Sequence, residues 1–145
     1  MPIKFTRRTD GNDSSHAQTP SAGVKASHGR FGEDAAAQYL TDNGYTIKGR
    51  NVRFGRHELD IIAEDDEYIV FVEVKTRTNL QMGLPREYVS PAKKQNTVAA
   101  ASEYLRENRS EKRARIDVIE VYLERGTEAP AVSKINHIRN AFGAR

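Results

Sequence analysis

The chain has no cysteine among its 145 residues, which excludes disulfides and thiolate metal sites and fits a reducing compartment. No apolar run approaches the roughly 20 residues that a membrane helix needs, and the opening MPIKFTRRTD lacks a hydrophobic signal segment. The expectation is a cytoplasmic protein without membrane contact. A strong excess of either charge is also missing, since 23 basic residues stand against 20 acidic ones for a net charge of +3. That balance permits nucleic-acid binding without demanding it, so the placement of the charges matters more than their sum. Large apolar residues are scarce in residues 1–28, where Ser, Thr, Gly, Asn and Ala dominate. This stretch reads as a disordered tail ahead of one domain spanning 29–145, long enough to bury a core without staples.

What is present in concentrated form is the stretch 58–77, ELDIIAEDDEYIVFVEVKTR. Two runs of β-branched and aromatic residues, Leu59 to Ala63 and Tyr68 to Val74, flank an acidic cluster and read as a β-hairpin. A turn centred between Asp66 and Glu67 pairs Ile62 with Phe71 and Asp60 with Glu73, and Lys75 follows on the face of Glu73. Leu59, Ile61, Val70, Val72 and Val74 fall on the opposite face. Apolar residues on both faces call for a sheet covered on both sides. Two carboxylates about 5 Å apart repel by about 3 kcal/mol at an effective dielectric near 20, so the pair wants a cation. Lys75 or a divalent metal would supply it. A strand end running into solvent accounts for the same spacing.

Around this hairpin, residues 29–43 carry Phe31, Ala35, Ala36, Tyr39 and Leu40 at helical steps, with Gly44 as the stop. Glu33 lies in the first turn at the edge of that stripe, where it either complements the helix dipole or points inward. Tyr45 to Phe54 reads as a strand with a bulge at Gly49, and Arg50, Arg53 and Arg56 cannot all share one of its faces. Residues 76–89 form a long loop, read as a flap over a substrate groove. Ser90-Pro91 opens a helix to Glu107 that buries Val98, Ala101, Tyr104 and Leu105. Lys93 and Lys94 oppose the dipole in its first turn, a hint of phosphate contact beside the plainer reading of solvated lysines. Arg115 to Leu123 is a further strand in which Asp117 reads as structural, paired with Arg115 or with the hairpin. In the terminal element 132–142, Ile135, Ile138 and Phe142 are expected to cap the core and His137 to pack.

Asp60 followed thirteen residues later by Glu73-Val74-Lys75 resembles the PD-(D/E)XK nuclease signature. With Gly32-Glu33, Gly44-Tyr45, Arg50-Asn51, Glu58-Leu59-Asp60, Arg77, Gly83, Pro85, Lys93, Arg115-Ile116-Asp117 and Asn140-Ala141-Phe142, the stretch from Gly29 to Phe142 resembles the YraN family of endonuclease-like bacterial proteins. His57 departs from it, standing where the family commonly has glycine. The resemblance implies an α/β, restriction-endonuclease-like αβββαβ core, a mixed sheet flanked by helices. It implies Asp60, Glu73 and Lys75 as catalytic residues, with Glu33, Asp60 and Glu73 holding Mg²⁺ or Mn²⁺ as archaeal Holliday junction resolvases do. Arg77, Lys93 and Lys94 are expected on flanking phosphates. The expected activity is hydrolysis of phosphodiester bonds in nucleic acid, DNA before RNA, with branched and single-stranded forms among the substrates. The alternative is a scaffold of the same fold that binds nucleic acid without cutting it. Junction-cleaving enzymes of similar fold act as dimers, which leaves a homodimer open.

Overall fold

The computed structural model describes residues 23–78, 91–124 and 129–142. The element order is α1 (Gly23–Asp42), β1 (Thr46–Phe54), β2 (His57–Glu64), β3 (Tyr68–Thr78), α2 (Pro91–Glu107), β4 (Arg113–Leu123) and β5 (Val132–Ile138). The strands form one five-stranded sheet in the order β1-β2-β3-β4-β5. All neighbours are antiparallel except β3 and β4, which run parallel and are joined through α2. This is the expected mixed α/β sheet with a helix on each face, consistent with a nuclease-like core.

Each helix buries its stripe on a separate core. Ala36 and Leu40 of α1 pack with Ile61, Ala63, Val70, Val72, Ile119 and Val121. Ala100, Ala101 and Tyr104 of α2 pack with Val52, Leu59, Ile62, Ile69, Phe71 and Ile116 on the other face. The two-sided burial expected from the hairpin is therefore observed, and its register is the expected one, with Ile62 opposite Phe71. The bulge expected near Gly49 is a register shift between Ile47 and Gly49.

Leu59 corrects the sequence reading. It does not share a face with Ile61 but lies in the α2-side core with Val52. Asn51, between Arg50 and Val52 in the β1–β2 register, has φ +52°, a left-handed conformation that Asn tolerates. Strict alternation fails across that twisted position. Ile138 is a second correction: it remains 37% exposed rather than capping the core, while Ile135 and Phe142 do pack inward. The α1 helix begins at Gly23, earlier than the expected residue 29, because Val24 to His28 contains no helix breaker. Residues 1–22 and the flap residues 79–89 lie outside the described residues.

Gly32 sets how closely α1 approaches the sheet. A Cβ at this position would meet Thr76 Oγ1, with Thr76 Cβ and Cγ2 at 3.2 and 3.3 Å. A β-branched side chain on a strand has little freedom to withdraw. Gly32→Ala is expected to cost about 1–3 kcal/mol, measured as a lowered urea midpoint. Adding Thr76→Ala should recover part of the loss, and equal midpoints for both variants would exclude the contact as the cause.

Candidate active site

The site forms where the sheet opens between β2 and β3. Backbone pairing of these strands ends at Ile61 opposite Val72, whereas β2 stays paired with β1 out to His57 and β3 stays paired with β4 out to Thr78. Past that point the Val74 amide has no β2 carbonyl to meet. The Asp60 carboxylate replaces it, with Oδ2 accepting from Val74 N at 2.9 Å. Carried one residue past the last pair, the register would set Glu73 across from Asp60, and the charge of Glu73 does act on the Asp60 carboxyl.

Both carboxyls are pushed toward their neutral form. Burial raises Asp60 most, the charge of Glu73 adds to it, and Glu33 adds less, so that its pKa is pushed up to about 8 despite the Val74 hydrogen bond and the attraction of Lys93. Glu73, 6% exposed, is raised by burial against the opposing pull of Lys93 and Lys75. Two buried like charges that both resist ionisation bind a cation favourably. The contacting cation is Lys93, whose Nζ lies 3.4 Å from Glu73 Oε2. Lys75, the sequence-based choice, acts on Glu73 through its field.

Glu33 reaches the site from α1. Its Oε1 accepts from Asn51 Nδ2 at 3.2 Å and lies 3.8 Å from Arg50 Nη2, which also holds Asp34 at 2.7 Å. Burial raises its pKa, and the neighbouring Glu58 raises it further. Because α1 begins at Gly23, Glu33 lies in its third turn rather than its first, so it does not complement the helix dipole and instead turns to Asn51 and Arg50. Asn51 and Glu58 carry site roles that spacing alone did not assign. The signal for Asn51 was its residue type, among the few suited to positive φ.

Among the described residues, no group of three or more His, Cys, Asp or Glu side chains that could hold a metal ion is found. The donors still suit a hard divalent ion, because Mg²⁺ is commonly held by one or two carboxylates with waters and substrate phosphates. Asp60 and Glu73 form that pair, with Glu33 beside it.

The other expected contacts are placed differently. Arg77 is not brought to the carboxylate pair. Its Nη2 and Nε both lie 3.3 Å from Glu120 Oε2, and its side chain is 10% exposed. Glu120, 2% exposed, also accepts from Asn136 Nδ2 at 2.8 Å and from the Tyr122 hydroxyl at 3.3 Å. Lys94 is exposed, its amine 5.6 Å from the centre of the Phe142 ring. Asp117 is structural as expected: Arg115 Nε donates to Oδ1 at 2.9 Å, and His137 Nε2 lies 2.7 Å from Oδ2. His137 does more than pack, since its Nδ1 lies 3.0 Å from the Tyr39 hydroxyl and ties β5 to α1.

Comparison with known proteins places this geometry in a family. The description "Uncharacterised protein family UPF0102" matches residues 32–121. A UPF0102 protein of Acetivibrio thermocellus is 43% identical over 120 residues, covering 81% of this chain and 92% of the relative. Those of Flavobacterium psychrophilum and Caldanaerobacter subterraneus are 41% and 44% identical, over 79% and 81% of this chain and 92% and 96% of theirs.

Proposed function

This chain belongs to UPF0102, the YraN family its motifs resemble, and from the site built in its sheet we propose a metal-dependent endonuclease acting on nucleic acid, DNA in particular. The observation that carries the reading is the Asp60–Glu73 pair, a half-buried and a buried carboxyl held in the fork between β2 and β3 with raised pKa values. A pair left there for packing alone would be costly, whereas a bound cation offsets the cost.

In this reading Asp60 and Glu73, with Glu33 beside them, hold Mg²⁺ or Mn²⁺. When bound, such an ion offsets phosphate charge and acidifies the attacking water. Asp60 is already oriented by the Val74 amide, so little reorganisation is needed at its carboxylate. Lys75, on the same strand two residues past Glu73, orients that water and offsets negative charge on the phosphoryl oxygens. Lys93, paired with Glu73 at 3.4 Å, stands where it would meet a phosphate beside the carboxylates. Lys94 lies beside it in the first turn of α2. Arg77 takes a supporting place, since its guanidinium is committed to Glu120.

The test is cleavage of branched, single-stranded and duplex DNA by the purified protein in Mg²⁺, in Mn²⁺ and in chelator. Glu73→Gln and Lys75→Ala should each lose at least about a hundred-fold in rate. Equal cleavage by wild type and both variants would trace the activity to a contaminant and overturn the assignment. A non-catalytic scaffold would instead bind DNA identically with and without chelator, and the raised carboxyls at positions 60 and 73 speak against it.

A further inference from the structure

Two of the three cations expected on phosphates are committed to carboxylates, Arg77 to Glu120 and Lys93 to Glu73, which leaves open what holds the nucleic acid beside the site. The geometry points to the tip of the β1–β2 hairpin, where Arg53 and Arg56 form a phosphate-gripping edge for the strand being cut; this rests on the nuclease reading above.

The hairpin tip is stiff. Phe54 pairs with His57, so Gly55 and Arg56 make a two-residue connection. Gly55 has φ +64° and Arg56 is not among the residues of positive φ, the pattern of a type II′ turn with glycine in its first central position. Phe54 anchors the tip from below, packing on the α2-side core with its ring 6.4 Å from that of Tyr104. Arg53 and Arg56 therefore project from a fixed base rather than from a floppy loop, which lowers the entropy lost on binding.

The tip is also correctly placed. Arg53 is the cross-strand neighbour of Glu58, whose charge is felt by both Glu33 and Glu73. Arg53 thus stands at the rim of the carboxylate cluster. Arg56 sits in the turn just before β2, four residues ahead of Asp60, at most about 13 Å away. At about 3.4 Å per nucleotide of one strand, that reach falls about four nucleotides from the phosphate at Asp60.

Finally, both arginines are uncommitted. Each is exposed, and neither has an ion-pair partner among the described residues. Arg50 differs: Asp34 and Glu33 hold it against α1, so the three-residue arginine spacing in the sequence resolves into one structural arginine and two outward ones. Each exposed guanidinium can take a phosphate through two parallel hydrogen bonds, and two of them on one hairpin tip suit a ligand that repeats its anionic groups along a chain.

The experiment compares full-length wild type, Arg53→Ala/Arg56→Ala and Arg53→Lys/Arg56→Lys in binding to fluorescent duplex and single-stranded DNA, in chelator, over a series of salt concentrations. Loss of two phosphate contacts should reduce the slope of log affinity against log salt by about 1.8 on duplex, or about 1.4 on single strands, and weaken binding by tens of fold near 0.1 M salt. The lysine pair should keep the wild-type slope. An alanine pair that binds with the wild-type slope, while wild type still cleaves DNA, overturns the hairpin assignment and leaves the nuclease reading standing. Wild-type protein without salt-dependent binding to either DNA overturns both.

Discussion

Replacing Asp60 with asparagine is expected to abolish metal-dependent cleavage and, in chelator, to make the protein more stable rather than less. The carboxyl is raised from an ordinary value of 3.8 to about 8 by burial and by the charge of Glu73. A group whose folded pKa is raised favours folding while protonated. Its contribution is fully present below the unfolded value and is lost as the pH climbs through the folded one. The metal-free wild type should therefore lose stability between about pH 4 and pH 8, and Asp60→Asn should flatten that decline. Asparagine still presents a side-chain oxygen to the Val74 amide, so the hydrogen bond that closes the fork survives. At pH 8 the gain should be about 1–3 kcal/mol after solvent screening at this partly exposed position, or roughly 3–10 °C in melting temperature. Mg²⁺ should raise the melting temperature of wild type and leave the variant unmoved. Thermal scans across pH, with and without Mg²⁺, separate the outcomes: a variant less stable than wild type at pH 8 would show that Asp60 is not held against its own charge.

Asp117→Ala should produce the largest loss of stability. Asp117 is fully buried, and it accepts Arg115 Nε at 2.9 Å, Arg115 Nη2 at 3.0 Å and the Asn140 amide at 2.9 Å, with His137 Nε2 at 2.7 Å. Burial alone would raise its pKa, but the hydrogen bonds from His137, Arg115 and Asn140 together bring it below the usual carboxylate value. The stability it supplies is present above the ordinary value near 3.8 and is lost as the pH falls through the lowered one. Alanine leaves the Arg115 guanidinium, 11% exposed, without its carboxylate, and it releases the Asn140 turn from which Ala141 N donates to Ile116 O. Removing one partner of a buried pair costs about 3–5 kcal/mol. Urea unfolding should show the midpoint falling by that loss divided by the slope, with the slope itself unchanged. A loss under about 1 kcal/mol would mean that the network does not hold β4, β5 and the C-terminal turn together. Asp117→Asn, which keeps one acceptor, should fall between wild type and alanine.

These two aspartates illustrate what was legible beforehand. Asp117 sits two residues from Arg115 on one strand, so their shared face follows from the period of a strand, and the pairing was readable. Its third and fourth contacts, from His137 and Asn140, are 20 and 23 residues away and depend on how β5 returns along β4. No local pattern carries that information.

The sequence by itself determined the hairpin and its register from Ile61 opposite Val72 to Glu64 opposite Ile69, because a short acidic turn between two β-branched runs leaves one pairing that buries both apolar sets. It also determined that both helices exist, through 3.6-residue periodicity, although not that α1 begins at Gly23. Tertiary structure alone decided which cation meets which carboxylate. Lys93 reaches Glu73 because the β3–α2–β4 connection lays the start of α2 over the fork, and Arg77 turns to Glu120 because β4 lies parallel alongside β3. Long charged side chains choose partners by proximity in the folded chain, at separations where neither spacing nor alternation constrains them.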